Sequence, residues 1–113
     1  MYLDWEALRK DLRSAVGEFS QLQPEFMQGI KGMEKGAAGT GHLDAKTHEL
    51  IALAVAITTR CDGCISVHAE AAAKHGATRE EIAEALAVAI TLNTGAALVY
   101  TSRALEAFDS IEK

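Results

Sequence analysis

The sequence predicts an all-α fold in a single domain spanning residues 1–113. Three observations carry this. Apolar residues recur at helical spacing along most of the chain. Capping residues and glycines stand where such helices would begin and end. No stretch keeps a convincing strand pattern. The length suits one domain, which buries roughly 65% of its unfolded surface. Hydrophobic residues make up 49% of the chain, but many are alanines that offer little apolar area each. A partner chain is expected to supply the missing burial.

About six helices are expected. Trp5, Leu8, Leu12, Val16 and Phe19 form the apolar face of the first, with Asp4 as its N-cap. Pro24 suits the first turn of a second, whose face is Phe26, Met27, Ile30 and Met33. Five of the nine glycines fall between Gly29 and Gly41. They weaken this helix and make Ala37 to His42 a loop. Without GxxxxGK[ST], that loop is not a phosphate cradle. Asp44 caps a third helix running to about Thr59, apolar at every position from Leu50 to Ile57 and expected to be buried all round. A fourth helix starts near Cys61–Cys64 and stops at Gly76. Thr78 and Glu81 form a capping box for a fifth, through about Asn93. Gly95 is expected to break the pattern before a last helix over Ala97–Ile111. The string Ala-Leu-Ala-Val-Ala-Ile-Thr occurs at 52–58 and again at 85–91. It marks two similar central helices rather than a solenoid, which two copies cannot build.

Charge and hydropathy exclude several roles. The net charge is -5 and the basic residues are scattered, which argues against nucleic acid. No uninterrupted apolar run approaches about 18 residues, so no membrane span is expected. Met1 to Glu6 lack the basic-then-apolar order of a signal peptide. Two cysteines in a CxxC, with no wider framework, fit a reducing compartment, so a cytoplasmic protein is expected.

The chemistry concentrates between Glu49 and His68. A CxxC at a helix start places sulfur where unpaired N–H groups and the helix dipole stabilise a thiolate. Cys61 and Cys64 are close enough in sequence for a disulfide across one turn. Arg60 adds positive charge and Asp62 opposes it. His68 follows Cys64 by four residues, so it lies a turn away on the same face and could move a thiol proton directly or through water. Glu49 heads the apolar run. One reading makes it a solvent-facing residue that complements the helix dipole. The other pairs it with His68 or a cysteine, since a buried carboxylate needs a partner. A zinc site would use both cysteines and His68, with Glu49, His48 or His42 as fourth ligand. Two inert buried cysteines are the bland alternative. Haem attachment is excluded because Ile65, not His, follows Cys64. His42 and His48 read as solvated, and His75 as a surface residue near a helix end.

Glu49, eleven residues, Cys61-Asp62-Gly63-Cys64, three residues and His68 together resemble the core motif of the alkylhydroperoxidase D-like branch of the carboxymuconolactone decarboxylase family. Leu43–Ala54 and Gly76–Ala85 are also similar to that family, and the likeness runs from residue 43 to about 108. It implies an all-helical fold that assembles into trimers or hexamers; because Leu50–Ile57 and Ile82–Ile90 are apolar nearly all round, a homohexamer is expected first and a trimer second. It implies a peroxidase or disulfide reductase without metal or flavin, acting on a small hydroperoxide. Cys64 would attack the peroxide, Cys61 would resolve the sulfenic acid, and His68 and Glu49 would relay protons. The reductant would be a thiol or dithiol, a lipoylated protein in the family prototype. The decarboxylase branch lacks the cysteine pair, which turns the expectation away from decarboxylation. The prototype carries histidine before the second cysteine, where this chain has Gly63. A non-catalytic redox sensor or partner-binding helical oligomer is the alternative from another class.

Overall fold

The computed structural model describes residues 3–112, so the leader reading over Met1 to Glu6 falls partly outside the described residues. Five helices account for nearly all of them: α1 (Trp5–Leu22), α2 (Pro24–Ala38), α3 (Ala45–Thr59), α4 (Asp62–Lys74) and α5 (Arg79–Glu112). There is no strand among them.

Four of the five helix starts satisfy N–H groups that the helix itself leaves unpaired, α2 being the exception. Asp4 accepts from the Ala7 N–H and Asp44 from the Thr47 N–H. Pro24 occupies the first turn of α2. The Thr78–Glu81 box is reciprocal: the Glu81 N–H donates to Thr78 Oγ1 at 3.1 Å and the Thr78 N–H to Glu81 Oε1 at 2.9 Å. Gly76, at φ 81, ends α4 as expected.

Two expectations are corrected. The fifth and sixth helices are one continuous α5, because Gly95 does not break it. A lone glycine costs a helix only about 1 kcal/mol, and no proline or cap follows to supply a turn. For the same reason α2 runs through Gly29, Gly32 and Gly36 and takes in Ala37 and Ala38.

The centre is a three-helix unit in which α3 packs on both α4 and α5, while α1 lies on α4 and α2 on α1. Ala56 and Ala89 occupy matching positions of the repeated string, and both are buried at the α3–α5 centre of the fold. Arg9 and Arg13 both pair with Glu70, which fastens α1 to α4. Lys46 Nζ lies 2.8 Å from Glu81 Oε2 and joins the start of α3 to that of α5.

Ionisation of these surface groups gives a directional prediction. The Lys46 ammonium, and then the Thr78 N–H, hold the Glu81 carboxyl below its usual range. Hydrogen bonds to Thr47 lower Asp44 likewise, and Glu81 raises Lys46. The carboxylates contribute stability that is present above the unfolded carboxylate range and is lost as pH falls through their lowered values. Lys46 contributes stability that is present below about pH 10.4 and is lost as pH rises through its raised value. The melting temperature of Glu81→Gln should therefore lie below wild type at neutral pH, converge on it in acid, and come closer to it in alkali as Lys46 loses its charge, where the Thr78 N–H still holds the carboxylate. A constant difference at every pH would remove the pair from the account.

Few side chains are enclosed. Among the described residues only Leu53, Ala56, Ser66, Ala72 and Ala89 are fully buried. Ile51 and Val55 of α3 are about half exposed, so α3 is not covered all round within one chain. The radius of gyration is 18.6 Å, against about 13 Å for a compact domain of this length. A window within Arg79–Ile111 reaches a mean hydropathy of 1.7 with 6% of it buried, long and apolar enough by length and composition to cross a membrane. The sequence reading required an uninterrupted apolar run, which Glu84 and Asn93 break.

Candidate active site

The turn between α3 and α4 builds the site. The Cys61 N–H reaches back to the Ala56 carbonyl at 3.1 Å, and Arg60 takes the left-handed conformation that this closure demands. The chain then enters α4 at once, with Cys61 as its N-cap. The Cys64 N–H donates to Cys61 Sγ at 3.1 Å. The sulfur thus occupies the place of a capping oxygen, where orphan N–H groups favour negative charge. Cys61 and Cys64 are joined as a disulfide with their Cα atoms 5.2 Å apart. Cys61 is half-buried and Cys64 exposed.

Behind the disulfide, α4 folds back along α3. Ser66, 1% exposed, donates from Oγ to the Gly63 carbonyl at 2.8 Å and so ties down the first turn of α4. Arg9 donates to the Ser66 carbonyl at 3.3 Å. One turn beyond Cys64, His68 Nδ1 lies 2.6 Å from Glu49 Oε2 in the same chain. The Glu49 side chain is 18% exposed and that of His68 38%. A carboxylate enclosed this far needs the imidazole, and the imidazole's orientation is fixed by the carboxylate. Of the two readings left open for Glu49, the pairing is the one found. No hydrogen bond joins His68 or Glu49 to either sulfur among the described residues.

The pair borders an open cavity of about 510 Å³ between α2 and α3, with Ala37, Ala38, Leu43, Ile51 and Ala52 as its apolar wall. Glu34 and His48 also line it, so His48 is part of the site's surroundings rather than a solvated bystander. The sequence held no signal for this, because residues on α2 and α3 meet here only through tertiary packing. His42 and His75 are exposed, as expected. No group of three or more His, Cys, Asp or Glu side chains among the described residues is placed to hold a metal ion.

Residues 24–107 match the carboxymuconolactone decarboxylase family. The chain belongs to that family. It is 50% identical to an uncharacterized protein of Haemophilus influenzae over 100% of this chain and 99% of that one. It is 37% identical to an uncharacterized protein of Cupriavidus necator, over 98% of each. Among solved structures, a carboxymuconolactone decarboxylase family protein from Legionella pneumophila, in its apo form, superposes with a TM-score of 0.75 at 38% identity, covering 96% of this chain and 97% of that one.

Within that family fold, Gly63 has a steric reason in this chain. A Cβ there would lie 3.1 Å from Leu12 Cδ2 and 3.5 Å from Cδ1, because α1 lies directly over the first turn of α4. A side chain at this position would need the end of the Leu12 side chain to give by a few tenths of an ångström. Gly63→His should cost about 1–3 kcal/mol as overpacking, read as a lower urea midpoint. An unchanged midpoint would show that α1 yields freely.

Proposed function

We propose that this carboxymuconolactone decarboxylase family protein is a thiol–disulfide redox enzyme of the alkylhydroperoxidase D-like branch, reducing small hydroperoxides or disulfides. The observation that carries the reading is the Glu49–His68 contact one helical turn from a bonded cysteine pair. An inert disulfide needs no oriented imidazole beside it. No metal or flavin enters the scheme.

In the reduced state His68 takes the Cys64 proton, directly or through one water, and Glu49 stabilises the imidazolium. The Cys64 thiolate attacks the hydroperoxide, the O–O bond breaks, and His68 returns the proton to the departing alkoxide. This yields an alcohol and a Cys64 sulfenic acid. Cys61, held at the helix N-terminus, attacks that sulfur. Hydroxide leaves and is protonated to water, and the Cys61–Cys64 disulfide forms. Two thiol equivalents restore the dithiol. Mass spectrometry of the reduced protein after one equivalent of hydroperoxide should show the loss of two hydrogens on the peptide holding both cysteines. Finding only unpaired, over-oxidised cysteine would remove the cycle.

Self-association belongs to the same reading, as a homohexamer first and a trimer second. The exposed apolar residues of α5 and of the α1–α2 corner, among them Leu98, Leu105, Phe108, Phe19, Leu22 and Phe26, are only partly covered among the described residues. Glu84, Asn93, Arg103, Glu106 and Asp109 punctuate α5 along its length, which suits a protein partner better than lipid. A cytoplasmic location accords with this. Light scattering at micromolar concentration should give about six chain masses. A stable monomer, or material that stays dispersed only in detergent, would overturn the assembly.

A further inference from the structure

Helix α1 lies outside residues 24–107, the part of the chain that matches the family. It packs on α4, the helix that opens with the cysteine pair. Its contacts gather on the early part of that helix. Leu12 covers Gly63, which stands between the two cysteines: a Cβ added there would lie 3.1 Å from Leu12 Cδ2. Arg9 donates from Nη1 to the Ser66 carbonyl at 3.3 Å. The same guanidinium places Nε 3.5 Å from Glu70 Oε2, and Arg13 pairs with that carboxylate too. Ser66 in turn donates from Oγ to the Gly63 carbonyl at 2.8 Å. It is the one buried polar residue among the described residues. A continuous set of contacts therefore runs from α1 through Ser66 to Gly63, inside the redox pair.

The turn that these contacts hold is the one that sets the two sulfurs against each other. A disulfide fixes that turn, whereas two separate thiols leave it free to loosen. Whatever keeps it rigid raises the effective concentration of one thiol at the other and so favours the bond. Positive charge acts the other way, because it stabilises a thiolate and so the reduced pair. The Arg9 charge is offset by Glu70, and its fork is tied to the backbone of α4. Rigidity is therefore the larger of the two effects.

We infer that Arg9 is a positioning residue for the cysteine pair. By fastening α1 to Ser66 and Glu70 it holds the first turn of α4 in the geometry of the disulfide and makes the bond harder to reduce. The inference rests on the redox reading of Cys61 and Cys64. Such a coupling is reciprocal, so opening the disulfide also loosens α1.

The test equilibrates the full chain in buffers of fixed ratio of reduced to oxidised dithiothreitol. One dithiothreitol passes two electrons and two protons to the protein disulfide and becomes a cyclic disulfide itself. Thiols are trapped with iodoacetamide and counted by mass. Arg9→Gln should be half reduced at a ratio about fivefold lower than wild type, the low end for a coupling between sites. Arg9→Lys keeps the charge and the stem but not the planar fork. Its midpoint should move the same way by less, and it carries the test if Arg9→Gln fails to fold. Lys46→Gln, which removes the ion pair between α3 and α5, should melt lower yet keep the wild-type midpoint. In the wild type, the amides of α1 should exchange with solvent faster in the reduced protein than in the oxidised one. An unchanged midpoint, or one moved to a higher ratio as loss of charge alone would give, would overturn the inference. Equal exchange of α1 in the two states would do the same. A disulfide that no dithiothreitol ratio opens would overturn the redox reading beneath it.

Discussion

Replacing Cys64 by Ser is expected to lower hydroperoxide turnover by at least about 10³-fold, because the proposed cycle makes it the group that attacks oxygen. Cys61→Ser should behave differently. Without its resolving partner, Cys64 should react once and stop as a sulfenic acid that a dimedone probe can label. The two helix-end effects pull in opposite directions here. Cys61 is the N-cap and accepts the Cys64 N–H, which favours a thiolate on Cys61. His68 lies a turn from Cys64 and favours that one. If Cys64→Ser kept the faster peroxide reaction, the roles of the two sulfurs would be reversed.

The second large effect concerns Glu49 and His68. Each single change, Glu49→Gln or His68→Gln, is expected to lower kcat by about 10²-fold, the low end for a lost proton-transfer group. The double variant should be scarcely worse than either single one, because the 2.6 Å contact makes the two residues one unit. Multiplying losses would mean that they act separately. A Glu49→Gln enzyme with unchanged kcat would reduce the carboxylate to a structural role.

Much of this is legible in the sequence. Asp4, Asp44, Thr78 and Gly76 mark their helix ends by local chemistry, which acts over a few residues and so survives in the sequence. The cysteine pair and His68 share a helix face by spacing alone. The contact of Glu49 with His68 was harder to read. Residues 49 and 61 would stand about 18 Å apart on one straight helix, and spacing alone does not show how the chain returns. The structure ends α3 at Thr59 and starts α4 at Asp62, within the expected Cys61–Cys64 start, so His68 lies about 9 Å back along α4, and two long side chains span what remains. The role of Leu12 was invisible because it depends on where α1 lies over Gly63. The continuity of α5 through Gly95 is not legible locally, because glycine is only a weak breaker when nothing beside it offers an alternative turn.

The central claim is that Cys61 and Cys64 turn over rather than merely persist as a bond. Consumption of tert-butyl hydroperoxide with excess dithiothreitol tests it most directly, followed as peroxide lost per protein chain. The account predicts many equivalents consumed per chain, one dithiol oxidised per peroxide, and the rate abolished in Cys64→Ser. Consumption that halts at one equivalent per chain in the wild type would contradict it and leave a sensor in place of an enzyme.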